Sequence, residues 1–429
     1  MNWTYKHTAL TLIFGLLLIA APVAKAAQID VDGDFRLRLY NDRFSETMDD
    51  RGTENYARYL GHIRAKARVN PKTHFYTELI TWTENNETAP ARNIAGTGRM
   101  KWGISQIFAE LVQPDFLFFD LFRARVGRQQ FPIGEGLTQG ESSYYSDKFD
   151  GVRFDMSYRA YVLSFFGSIT GQNVSENGLY PDPGSDQLYV ARLSRSLGNH
   201  SVMGYYVYNK LRGQFNDSYI FGGGFNGNVM QTHLQYFLEV AHQDWHQLEG
   251  FPSKGGWGYM AGAAYRWSMG PFKSVKAETK IAAYQGDDTD TDEIEIFSPL
   301  YPSFYWGSRR GYVDGGIGGD YPFNGRNPEG SRLWYSRIYV VPNKFPQARL
   351  QLQYVKIDEF VNNDGYNSMD DEFSVKLYYQ LSPQTQLQLR YARNFPNGED
   401  KDANESGTIS SMEDRYTQDR LMAELTVKF

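Results

Sequence analysis

Apolar and polar residues alternate at every second position through most of this chain. That rhythm restricts it to strands with one greasy face and one wet face. In the first stretch Ile29, Val31, Phe35, Leu37 and Leu39 fall on one side, and Asp30, Asp32, Asp34, Arg36 and Arg38 on the other. Ala57, Tyr59, Ile63, Ala65, Ala67 and Val69 then alternate with Arg58, His62, Arg64, Lys66 and Arg68. A helix would scatter these charges around its circumference, whereas a pleated strand gathers them on one face. The pattern returns at residues 152–156, 234–240 and 373–381. Trp257, Tyr259, Ala261, Ala263, Tyr265 and Trp267 share a face with aromatics at both ends and alanines between. That is the layout of a strand crossing a bilayer between two aromatic girdles.

Composition agrees with this reading. Aromatics make up 16% of the 429 residues, with 31 Tyr and 28 Phe, yet mean hydropathy is −0.54. Many aromatics with a polar average fit a barrel that meets lipid outside and water inside. The formal charge of −6 describes the whole chain and not the lumen. Cysteine is absent, so disulfides contribute nothing to stability. Lys6 and His7, an apolar run at 9–21 and Ala24-Lys25-Ala26 read as a secretory signal peptide over 1–26. Residues 27–429 are then one transmembrane barrel of a Gram-negative outer membrane. After residue 27 no apolar run approaches the ~20 residues of a spanning helix, which excludes a helical membrane protein.

The connections alternate in length. Short ones fall at 70–72, 113–115, 198–199, 269–271 and 382–383. Long polar ones fall near 42–55, 85–102, 128–147, 171–186, 286–330, 359–370 and 396–417. Short periplasmic turns and long outer loops are the barrel rule. About 17 strands can be read, and a bacterial barrel needs an even number. The missing strand is expected within 219–225, giving an all-β antiparallel barrel of about 18 strands, with 16 the alternative. The final strand sets Leu421, Ala423, Leu425, Val427 and Phe429 on one face. An alternating last strand with a terminal Phe resembles the sorting signal read by barrel-assembly machinery, which makes that machinery an expected partner beside outer-membrane lipid.

Charges on the lipid face cost about 2–4 kcal/mol each near the midplane, so the charged faces should line the lumen. The candidate pore-lining, anion-binding set is Arg36, Arg38, Arg58, Arg64, Lys66, Arg125, Arg128 and Arg153, with Arg123, Arg349 and Arg390 as further candidates. Guanidinium suits the task because its fork matches both carboxylate oxygens and stays charged at any working pH. Two readings stand side by side. Antiparallel pairing sets Asp30, Asp32 and Asp34 near Lys66, Arg64 and His62, or one pair further along, which makes an internal ion-pair ladder with no transport role. Arg36, Arg38 and Arg58 have no acid opposite them on that hairpin and could form a cationic lining. Tyr144, Tyr145 and Trp306 are loop positions where a sugar ring could stack.

The segment Arg125-Val126-Gly127-Arg128-Gln129-Gln130-Phe131, with Gly134, Gly136 and Phe149-Asp150-Gly151-Val152-Arg153, resembles the alginate-export family of outer-membrane barrels. A looser match is Phe297-Ser298-Pro299-Leu300-Tyr301-Pro302 with Gly311-Tyr312-Val313-Asp314. The resemblance implies an 18-stranded monomeric barrel with an arginine-rich lumen, passing a polyuronate outward with a periplasmic secretion complex. Gly315, Gly316, Gly318 and Gly319 in the long 286–330 loop would suit a mobile cover.

Two functions follow. One is a channel for an anionic saccharide or polyuronate, with alginate-like export. The alternative is a general or substrate-specific diffusion porin taking up small solutes. An enzyme is not expected, because His200-Ser201 lies in a turn, and His242, Asp244 and His246 would need a helix to converge. Nothing calls for a cofactor or metal. No basic-aromatic module points to nucleic acid.

Overall fold

Asp30 lies opposite Lys66, Asp32 opposite Arg64 and Asp34 opposite His62 across the first hairpin. That register puts the apolar set of both strands on one face, and the same parity carries around the molecule. The computed structural model describes residues 28–44, 53–84, 99–134, 137, 148–170, 187–210, 217–229, 232–245, 254–286, 294–295, 297, 331–361, 365–396 and 418–429. The signal segment and the glycine-rich 315–319 stretch lie outside the described residues.

The strands are β1 (Gln28–Phe44), β2 (Thr53–Asn70), β3 (Thr73–Glu84), β4 (Arg99–Phe116), β5 (Phe119–Gln130) and β6 (Lys148–Tyr158). There follow β7 (Tyr161–Thr170), β8 (Gln187–Leu197), β9 (His200–Lys210), β10 (Ser218–Asn228), β11 (Leu234–Trp245) and β12 (Lys254–Met269). The rest are β13 (Phe272–Tyr284), β14 (Ile294–Glu295), β15 (Ser331–Pro342), β16 (Ala348–Val361), β17 (Gly365–Gln380), β18 (Thr385–Pro396) and β19 (Gln418–Lys428). The two-residue β14 lies parallel to β12. The others pair antiparallel with their chain neighbours, β13 passing directly to β15, and β19 returns to β1. This is a closed antiparallel barrel of eighteen staves.

The strand expected within 219–225 is β10, which escapes an alternation count because Gly222, Gly223 and Gly224 carry no side chain to alternate. One expected turn moves. Strand β4 runs through Pro114, and the chain reverses at Leu117–Phe118, with Asp115 and Leu117 at φ 52° and 58°. Positive φ at non-glycine residues is tolerated in a tight reversal but is not announced by turn-forming residue types.

The outward face carries the exposed apolar side chains, including Tyr59, Leu79, Phe154, Leu238, Tyr259 and Ile338. Aromatic rings band it at two levels. Near the long connections Tyr208 stacks on Tyr189 at 6.0 Å and on Tyr219 at 5.0 Å. Near the short turns Phe116, Phe122 and Phe154 form a row, and Tyr265 stacks on Trp267 at 5.5 Å. These are the interfacial girdles of a membrane-spanning barrel, and the protein belongs in the bacterial outer membrane.

The seam closes on the last residue. Gly33 and Phe429 exchange two backbone hydrogen bonds of 3.0 Å. The Phe429 ring lies over Gly33, where an added Cβ would fall 2.4 Å from that ring and 2.5 Å from the His62 carbonyl oxygen. A side chain here must displace backbone as well as ring. Gly33→Val is therefore expected to destabilise the barrel by about 1–3 kcal/mol. The check is the temperature at which the fast-migrating folded form disappears on a gel, and an unaltered transition would refute it.

Candidate functional site: a charged, partly filled lumen

The outer half of the lumen contains a packed apolar layer, which the alternation alone did not foretell. After β5 the chain turns inward instead of rising into an outside loop. Pro132 cannot donate to a ladder, and Gly134 takes φ 67°. Phe131, Ile133 and Leu137 are wholly buried. Phe131 stacks on Phe166 of β7 at 4.9 Å, and Phe149 meets the same ring edge-on at 5.8 Å. The layer continues through Leu188, Val207, Ile220, Met260, Tyr284 and Tyr335 on the inward faces of β8 to β15. Phe297, beyond β13, seats on Gly258 and stacks on Tyr284 at 6.0 Å. The expected outer connections at 128–147 and 286–330 thus contribute apolar side chains to the interior, and the inward face is not uniformly polar.

The β1–β4 wall is a ladder of ion pairs. Arg64 contacts Asp32 at 3.0 Å, Asp34 at 2.7 Å and Glu78 at 3.2 Å. Asp34 also meets His62 at 3.2 Å and Arg36 at 3.3 Å. Lys66 is exposed opposite Asp30. Arg38 has no acid opposite on β2, but ring closure brings Glu424 of β19 against it, and the two form a buried pair. The Arg58 side chain lies outside the described set, as do Tyr144, Tyr145 and Trp306.

A second group gathers beneath the inturned segment. Arg125 and Arg123 share Glu110 at 2.7 and 3.3 Å, and Arg125 lies over the Phe108 ring. Arg153 pairs with Asp155 at 2.8 Å and, with Arg192, covers the Phe131 ring. Arg128 is out of step with Arg123 and Arg125. It follows Gly127, whose φ of 128° interrupts the pleat, and its fork is engaged by Asp150 at 2.8 and 2.9 Å.

Another group of cations lies elsewhere among the described residues. Strands β12, β13, β15, β16 and β17 enclose a cavity of about 510 Å³ near the short turns. Arg266, Lys276, Arg337, Arg349 and Lys376 line it, with Tyr339, Tyr378, Gln351, Ser274 and Val341. The nearby acid Glu278 pairs with Lys276 and, at 3.4 Å, with Arg337. Arg337 is further held by Gln353 at 2.8 Å and the Tyr339 hydroxyl at 3.2 Å. Arg349 lies 4.0 Å above the Tyr378 ring, a cation–π placement that fixes the guanidinium without neutralising it. Of the sequence candidates only Arg349 belongs to this cavity. Arg390 sits behind it, buried with Glu372 at 2.8 Å.

The cavity is hard to see in the sequence because its cations arrive one per strand from five strands, and only the closed register sums them. The available sign was parity: Arg266 shares a face with Ala264 and Gly262, and Lys276 with Glu278 and Lys280.

Among the described residues the groups that hint at catalysis do not assemble. His200 and Ser201 point to opposite faces of β9, and His200 Nδ1 instead meets the Tyr236 hydroxyl at 2.6 Å. His242 Nε2 meets Asp244 at 3.0 Å on the Trp257 face, and His246 lies outside the described residues. Among the described residues no three His, Asp or Glu side chains are grouped to hold a metal.

No family model matches the chain, and no curated protein matches it. Solved structures do. Pseudomonas aeruginosa OpdQ superposes with a TM-score of 0.54 at 12% identity, over 94% of this chain and 98% of that one. OpdO of the same organism gives 0.57 at 13%, over 94% and 97%. Acinetobacter baumannii OccAB4 gives 0.55 at 11%, over 93% and 98%. At such identity the likeness is one of fold, and it spans nearly the full length of each pair. The structural neighbours share the barrel fold with this chain and do not single out an alginate-export family.

Proposed function

We propose that the barrel is a diffusion channel for small anionic solutes, the uptake-porin alternative rather than polyuronate export. The cation-lined cavity carries this reading. It presents the Arg266, Lys276 and Arg349 cations beside two tyrosine rings, while Arg64 on the β1–β4 wall is engaged by internal acids. An anion that passes the inturned segment meets five lining cations on one side, set against the one nearby acid Glu278. Weak, repeated contacts there let it move on down its gradient, with no bond made or broken. The apolar layer across part of the lumen favours a small solute over a stiff, hydrated polymer.

The test is planar-bilayer recording with purified protein across a salt gradient. The expected reversal potential has the sign of anion preference, and small carboxylates should reduce chloride current by occupying the cavity. Cation preference, or indifference to carboxylates, would overturn the proposal.

A further inference from the structure

We propose that Glu239 sets the bore of this channel by latching the inturned segment against the wall, an inference that rests on reading the lumen as a passage. Glu239 stands midway along β11, faces inward and is wholly buried. The Tyr205 hydroxyl donates to its Oε1 at 2.7 Å, and the Leu137 N–H donates to its Oε2 at 3.4 Å. The segment leaving β5 is thus bonded through its main chain to a strand six places further around the ring.

Gly134 approaches the same carboxylate. A Cβ there would lie 2.0 Å from Oε1, and its φ of 67° already calls for glycine. The near end of the segment is held differently. Phe131 is stacked on Phe166 and covered by Arg153 and Arg192, and Arg192 donates to the Pro132 carbonyl at 3.4 Å. One end is therefore fixed by ring packing, and the other by the apolar packing of Ile133 and Leu137 together with the Glu239 carboxyl.

A buried polar group that loses a hydrogen-bond partner is costly. The segment cannot leave the wall without costing the buried Glu239 carboxyl its Leu137 donor, with the Tyr205 hydroxyl left in place. Size selection then depends on Glu239, and charge selection on the separate cavity lined by Arg266, Lys276 and Arg349.

Glu239→Gln keeps the volume but sets an amide against at least one donor. Tyr205→Phe removes one donor and leaves the carboxylate. In detergent-solubilised barrels, hydrogen exchange at the Leu137 amide is expected to rise about tenfold in Glu239→Gln and less in Tyr205→Phe, with β11 unchanged. In proteoliposomes both variants should admit larger uncharged sugars than the parent, while the anion-to-cation permeability ratio stays the same. If Glu239→Gln does not fold, Tyr205→Phe carries both measurements. Equal exchange at Leu137 in parent and folded variant overturns the latch, whether or not solutes pass. Faster exchange with an unaltered sugar cut-off overturns its role in setting the bore. A parent barrel that passes no solute overturns the channel reading and, with it, the role in setting the bore.

Discussion

Replacing Arg266, Lys276 and Arg349 together by glutamine is expected to lower the anion-to-cation permeability ratio by on the order of tenfold, with a modest change in conductance. A unit charge about 4 Å away in water is worth about 1 kcal/mol, so three removed cations exceed the ~1.4 kcal/mol that corresponds to a factor of ten. Screening over a Debye length of about 8 Å at physiological ionic strength trims this, so the effect should grow as salt is lowered. The fold should tolerate the change. All three side chains are accessible from the cavity, and Glu278 keeps Arg337 as its partner when Lys276 is lost. The matched control lies on the other wall, where Asp32→Asn with Lys66→Gln alters one acid and one base without changing net charge. Selectivity should barely move there. An equal shift in both variants would mean that the cavity is not where ions are sorted.

The largest expected loss of stability comes from Glu372→Gln. Arg390 has no exposed side-chain surface and Glu372 almost none, and they meet at 2.8 Å between β17 and β18. Removing one partner of a buried pair leaves the other charge without its counter-ion in a poor dielectric, typically at a cost of about 3–5 kcal/mol. Urea unfolding in detergent, followed by tryptophan fluorescence, would measure it. Replacing both together, as Glu372→Leu with Arg390→Met, should recover most of the loss, because the pair itself is weakly stabilising once its desolvation is counted. A single variant within about 1 kcal/mol of the parent, the usual range for an exposed pair, would show that water reaches this site.

The barrel was legible in the chain because its physics is repetitive. A period of two with one face in lipid leaves little choice of fold, and the first hairpin alone narrows the partner of Asp32 to Arg64 or one pair further along, of which Arg64 is the one found. Legibility failed where the rhythm was silent or where distance mattered. Strand β10 has glycine at Gly222, Gly223, Gly224 and Gly227, so part of its alternation is missing. The turn at Leu117–Phe118 uses residues that no turn rule favours. Arg38 looked unpaired because its acid is Glu424, at the other end of the chain. The apolar layer around Phe131 was read as an outside loop, since a polar connection that turns inward resembles one that turns out. The cationic cavity needed the register of five strands at once.

The ring is completed by the final residue, whose backbone is bonded to Gly33 beside the start of β1. Translation that stops one strand early would therefore yield a sheet with two raw margins, each offering unmet donors and acceptors to whatever lies nearby. Such a fragment could not pass for a finished product. An open edge of that kind marks a ring that has not closed.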